Sequence, residues 1–273
     1  MEKKRAMDQR VTWRDAAEQP LSAESLRAVF DNEIPALRIK NFATPTECAD
    51  FAAAVRWGID QEIMRYYSVK PRVGYIGTAQ VEYRWGHKRD DYFVAVKQAW
   101  DDWHKIIART WDPLARFMQT LRDVSGHDAR IAEEPGYGKL FAGIIRLASN
   151  GIGRHVDWAP INTPDYAISG IDGQLGWNLF VESPGAGGVT TVHNRPWNVE
   201  VEPGKDPPMS YGLDDGHVAD SESFAYAPAT GDVVIFNSRN PHEVSAGVPG
   251  GGDRLQIGSF VGRLPGGDMV LWS

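Results

Sequence analysis

From Gly126 onward this chain breaks into short apolar or alternating runs separated by glycine- and proline-rich turns. The runs cover residues 139–147, 174–182, 188–193, 198–201, 231–237 and 255–261. Strand-length segments spaced in this way predict an all-β sandwich or barrel for the second half. The first half reads differently. Leu26, Val29 and Phe30 share one face of a short helix over 21–30, and 34–39 alternates like a strand. Thr44-Pro45-Thr46-Glu47 is a capping box with proline at the first helical position, predicting a helix to about Trp57. Between Asp90 and Val124 apolar residues recur at three- and four-residue spacing, which predicts one long amphipathic helix or two helices broken near Pro113. Helices followed by strands make a jelly roll with helical support the natural architecture. The expected organisation is one domain over 1–273. Residues 1–20 form a loosely held polar arm and 21–126 the helical support, within which 63–85 serves as a lid or as edge strands. Residues 127–273 form the β core.

Charge and cysteine content narrow the partners. A formal net charge of −7 gives no electrostatic reason to approach nucleic acid or an anionic membrane, so a small molecule is the expected partner. One cysteine, Cys48, excludes an internal disulfide framework and a thiolate-rich zinc site, and points to the cytoplasm. No apolar run approaches the length of a membrane span.

Within 151–158 lie His155 and Asp157, two residues apart and hence on one face of a strand. A second imidazole, His242, follows the apolar run Gly231-Asp232-Val233-Val234-Ile235-Phe236-Asn237 and a polar turn. Two imidazoles and a carboxylate can take one side of an octahedral iron and leave the other side open, as in non-haem Fe(II) oxygenases. Twelve residues beyond His242, Arg254 opens another strand, where a guanidinium suits bidentate pairing with a carboxylate inside a barrel.

His155-Val156-Asp157, the distal His242 and Arg254, in this order, resemble the Fe(II)/2-oxoglutarate-dependent oxygenase superfamily over about residues 138–263. The resemblance implies a double-stranded β-helix, with His155, Asp157 and His242 holding Fe(II) and Arg254 pairing with the distal carboxylate of 2-oxoglutarate. It also implies O2 as co-substrate, and succinate and CO2 as co-products. The stretches 141–146, 175–178, 187–192 and 271–273 are similar to the small-molecule oxygenases and halogenases of bacterial natural-product pathways that need no carrier protein. In those halogenases glycine or alanine replaces the carboxylate. Asp157 here favours hydroxylation of an unactivated C–H bond, in an amino acid or a product derived from one. Desaturation or ring closure at the same iron is the alternative, and a jelly-roll binding module without redox chemistry is the rival from another class. Where some members carry serine two residues after the arginine, this chain has Gln256.

Several other residues have two readings. Arg146 is a carboxylate-binding group for substrate or co-substrate, or else a surface ion pair. Asn178 is a hydrogen-bonding group near the iron, or a structural amide. Trp158 walls the substrate pocket, or simply packs. His193 lacks a partner at ligand spacing, and 203–226 reads as an active-site lid or as disorder.

Overall fold

A computed structural model describes residues 12–68, 73–84, 88–198 and 208–273. The described chain begins with β1 (Gln19–Pro20), α1 (Ala23–Phe30), β2 (Ala36–Ile39) and α2 (Pro45–Asp60). The capping box forms as predicted. Thr44 Oγ1 accepts the Glu47 N–H at 3.2 Å and Glu47 Oε2 accepts the Thr44 N–H at 2.8 Å; the helix runs three residues past Trp57. Arg116 hydrogen-bonds the same carboxylate, and these contacts hold the Glu47 carboxyl down to about 2. A depressed carboxylate stabilises the fold above its unfolded value near 4.5, and that stabilisation disappears as pH falls toward 2. Denaturant midpoints of the wild type and Glu47→Gln should therefore differ at pH 6, draw together below pH 4.5 and converge only as pH falls to about 2.

Next come β3 (Arg65–Tyr66), β4 (Gly74–Ile76) and a 3-10 turn over Gln80–Tyr83. The long amphipathic stretch is two helices, α3 (Arg89–Ile107) and α4 (Pro113–Ser125). Asp112 caps the second through the Ala115 N–H at 2.9 Å, with Pro113 at its first position. The short strands β5 (Ala129–Ile131), β6 (Glu133–Glu134) and β7 (Gly138–Lys139) lead to β8 (Ile144–Leu147) and β9 (Ile152–His155). After the single turn α5 (Ala159–Asn162) come β10 (Gly173–Glu182), β11 (Thr190–His193), β12 (Ser223–Tyr226) and β13 (Val233–Asn237). The chain closes with β14 (His242–Val244), β15 (Leu255–Arg263) and β16 (Met269–Trp272).

These strands form two main sheets, and the fold is the jelly roll with helical support expected from the sequence. The large sheet has the order β1-β2-β13-β10-β15-β8-β4-β3, with β16 and β5 continuing from β15; the small one has the order β12-β11-β14-β9. Strand periodicity divides the core in two. Leu175, Trp177, Leu179, Val233 and Ile235 belong to the larger core, which also includes residues of α1 to α4; Phe180, Val234 and Phe236 turn the other way, onto Val192 and Tyr226 of the small sheet. Both faces of β10 and β13 are thus covered, and this is why their sequences read as almost continuous apolar runs rather than alternating ones. Gly258 of β15 lies so close to β10 that a Cβ there would meet the Trp177 carbonyl oxygen and, at 2.8 Å, Asn178 Oδ1. Gly258→Ala should cost about 1–3 kcal/mol by overpacking, read as a lowered urea midpoint with unchanged slope.

Three expectations need correction. Residues 12–20 are not a loose arm: Trp13 is buried against Phe180 and Tyr226, its N–H donates to Glu222 Oε2 at 2.9 Å, and β1 pairs with β2. The burial of one tryptophan outweighs the polar composition of its neighbours; residues 1–11 lie outside the described residues. Of the segment 203–226, residues 203–207 lie outside the described residues, and 208–226 are neither disordered nor a free lid, because 210–213 hydrogen-bond along β9 and 223–226 form β12. In the strand expected over 198–201, Asn198 is not extended into a sheet, and 199–201 lie outside the described residues. Of segment 63–85, residues 69–72 and 85 lie outside the described residues; the rest supplies edge strands to the large sheet, and several of its residues also line the main cavity. No helix among the described residues is long and apolar enough to cross a membrane.

Candidate active site

The small sheet brings the two distant imidazoles together. β9 ends on His155, β14 starts on His242, and the antiparallel register sets these residues directly opposite each other. Their ring centroids are 4.1 Å apart. Each Nδ1 lies against the carbonyl two residues earlier, His155 on Gly153 O at 2.8 Å and His242 on Asn240 O at 2.9 Å. A carbonyl can only accept, so Nδ1 carries the proton and Nε2 presents a lone pair. Both Nε2 atoms lie 3.5 Å from Asp157 Oδ2. The three donor atoms lie within 4.8 Å of one another and could hold a metal ion.

The backbone of Asp157 is held by Ser238, whose carbonyl accepts the Asp157 N–H at 3.0 Å and whose hydroxyl donates to Asp157 O at 3.1 Å. Burial, helped by the neighbouring His242, pushes His155 down to about 4 against the pull of Asp157. The imidazole is neutral at pH 7, as metal binding requires. Burial also pushes the Asp157 carboxyl up, but His155, His242 and Arg146 outweigh it and hold the carboxyl below its usual range. Two imidazole nitrogens and one carboxylate oxygen would suit iron, and the three residues line a cavity of about 470 Å³.

Arg146, Asn178 and Arg254 open onto the same cavity. Arg254 is 1 % exposed, and its Nε and Nη2 donate to Gly188 O and Thr190 Oγ1, both at 3.2 Å. Its guanidinium carbon lies 5.1 Å from the Phe180 ring centre, and Nη1 has no partner. Among the described residues no carboxylate pairs with this cation, and burial pushes it down to about 10. A buried guanidinium with an unused N–H facing a cavity fits the carboxylate of a dicarboxylic co-substrate.

Trp158 does not wall the cavity. In an extended segment alternate side chains face opposite sides, so Val156 and Trp158 point away from His155 and Asp157. Trp158 packs on Val156, Ile161 and Trp197, with the Arg239 guanidinium 5.1 Å from its ring centre. His193 is not brought to the triad either; its Nε2 lies 3.1 Å from Glu243 Oε1, which also pairs with Arg154. Residues that sequence reasoning missed include Tyr211, whose hydroxyl accepts the Gly153 N–H at 3.1 Å and whose ring centre is 5.6 Å from that of His155. Thr190 and Gln256 also line the cavity, and the buried Gln256 Oε1 has no partner. Only Gln256, at the second place after Arg254 in a strand, had a local signal.

The family model described as carrier-protein-independent halogenase WelO5 matches residues 14–265. The chain belongs to that family. It is 32% identical over 221 residues to the leucinostatins biosynthesis cluster protein S of Purpureocillium lilacinum, covering 76% of this chain and 89% of that protein. It is also 32% identical over 207 residues to the L-gamma-glutamyl-L-propargylglycine hydroxylase of Streptantibioticus cattleyicolor, covering 72% and 73% respectively. Among solved structures, an N-substituted L-amino acid dioxygenase from Burkholderia ambifaria has the same fold, with a TM-score of 0.59 at 15% identity over 92% of this chain and 91% of that one. Like others in this family, the chain is an enzyme of the Fe(II)/2-oxoglutarate type, with O2 as the oxidant.

Proposed function

We propose that this enzyme hydroxylates an unactivated C–H bond of a small molecule, an amino acid or a compound derived from one, and releases succinate and CO2. The observation that carries the reading is the Asp157 carboxylate lying 3.5 Å from both His155 and His242 Nε2. With His155, Asp157 and His242 all available to hold iron, the chain itself would fill the position that a halide needs. The hydroxylase relative supports the same outcome.

In this reading His155, Asp157 and His242 hold Fe(II), and Arg254 holds the distal carboxylate of 2-oxoglutarate through its unused Nη1. When bound, iron with 2-oxoglutarate and O2 supplies the oxidising power that replaces C–H by C–OH. The chain's own residues position and shield. Ser238 fixes the Asp157 backbone, the Gly153 and Asn240 carbonyls set the imidazole tautomers, and Arg146 and Asn178 face the reacting space from β8 and β10. The net charge of −7 and the single buried cysteine fit a cytoplasmic enzyme without a nucleic-acid or membrane partner.

The family description favours halogenation as a second reading. Iron-loaded protein with 2-oxoglutarate is to be offered a panel of amino acids and amino-acid derivatives, with and without chloride, while succinate and product masses are followed. The expected product gains one oxygen at a rate indifferent to chloride. A chlorinated product would reverse the assignment, and loss of two hydrogens would point to desaturation or ring closure.

A further inference from the structure

Several polar groups of the cavity have no task in the proposed reaction, and one of them is an acid. The triad holds iron and Arg254 faces the co-substrate. The carboxylate of Glu82 also opens onto the cavity, and among the described residues it has neither a hydrogen bond nor an ion pair. The Glu82 side chain is exposed, but its backbone is held in place. Glu82 sits on the 3-10 turn after β4, and this turn is anchored by the Gln80 N–H donating to Ser273 O at 2.7 Å, with Thr78, Ala79 and Gln80 all buried.

The surroundings of Glu82 are aromatic. Tyr67, on the cavity wall, stacks on Tyr75 with ring centres 4.2 Å apart and planes 20° from parallel, and the Glu82 charge reaches both hydroxyls. Arg65 and Arg146 act on the Glu82 charge without bonding to it among the described residues: Arg65 lies 3.8 Å from Asp102, the Arg146 charge also reaches Asp157, and Arg84 lines the same cavity. Lost hydration pushes the Glu82 carboxyl up against the pull of Arg146 and Arg65, a cost that a cationic guest would relieve. A fixed carboxylate beside stacked phenol rings is the chemistry that recognises an ammonium group, by a charge-assisted hydrogen bond and by attraction to the ring faces.

We propose that Glu82, with Tyr67 and Tyr75, binds a cationic nitrogen of the substrate, so that the cavity selects largely apolar small molecules carrying a basic amine. The inference rests on this cavity being the substrate site. Arg146 lines the same cavity, and its charge reaches both Asp157 and Glu82. The amine is held at the Glu82 end and another part of the molecule faces the triad.

Calorimetric titration of the iron-free protein with 2-phenylethylamine, its N-acetyl derivative and 3-phenyl-1-propanol tests this. The amine should bind about tenfold or more tightly than either neutral probe, the margin of one charge-assisted hydrogen bond. Glu82→Gln should erase the margin and Glu82→Asp should keep part of it, with thermal midpoints showing that both variants fold. Equal binding of all three probes, no binding of the amine, or a margin that survives in a folded Glu82→Gln overturns the proposal. The titration uses no iron, so its failure leaves the oxygenase reading intact; a missing iron–2-oxoglutarate charge-transfer band would sink that reading without touching this one.

Discussion

Arg254→Leu should melt no lower than the wild type in the absence of ligands, yet lose 2-oxoglutarate binding by about 100-fold or more. Stability and function separate here because the guanidinium is 1 % exposed and faces no carboxylate. Its bonds to Gly188 O and Thr190 Oγ1 are made to neutral acceptors and do not repay the loss of hydration. Replacing buried charge by an apolar side chain of similar volume is commonly neutral or stabilising by about 1–4 kcal/mol. The co-substrate, on the proposed reading, supplies the missing anion. Arg254→Lys keeps the charge but loses the fork, and should fall between the two in affinity. Thermal midpoints with and without 2-oxoglutarate, together with anaerobic titration of the visible iron–keto-acid band, give both signs. A leucine variant that binds 2-oxoglutarate within about threefold of wild type would remove Arg254 from the site.

Asp157→Ala should lower Fe(II) affinity by at least about 100-fold, more than the about 10- to 100-fold typical of losing a group that merely supports a ligand. The two imidazoles would remain opposed at 4.1 Å between ring centres, but with no anion between their Nε2 atoms to offset the metal charge. Metal content after desalting, measured beside Asp215→Ala, separates the effect from a general loss of negative charge; among the described residues Asp215 pairs only with Arg154, and it is exposed. Unchanged iron content in Asp157→Ala would refute the ligand set.

Much of this could be read locally. A capping box at Thr44 and a proline at 113 are written in four or five adjacent residues, and the helices start where they said. The histidine and aspartate two apart needed only the strand period. The errors came where distant segments decide the outcome. Trp158 is next to Asp157 in sequence, but the same period that aims the carboxylate inward sends the indole outward onto Ile161 and Trp197. Trp13 looked like part of a loose terminus because its partners, Phe180 and Tyr226, come far later in the chain. Tyr211 meets the triad through pairing of 210–213 with β9, which has no local signature. The Glu82 turn likewise reaches the cavity only because β4 joins the edge of the large sheet beside β8.

The register that sets His242 opposite His155 also ties the metal to the architecture. On the proposed ligand set, a bound ion is a clasp across the seam between β9 and β14, the outer two strands of the small sheet's β14 end. A ligand that binds only the closed seam holds it shut by mass action. The iron-free protein should therefore trade its β9 and β14 amide hydrogens for deuterium sooner than those of β10 and β15, which lie inside the large sheet between covered faces. The exchange rate along that seam then becomes a gauge of iron loading that needs neither oxygen nor substrate.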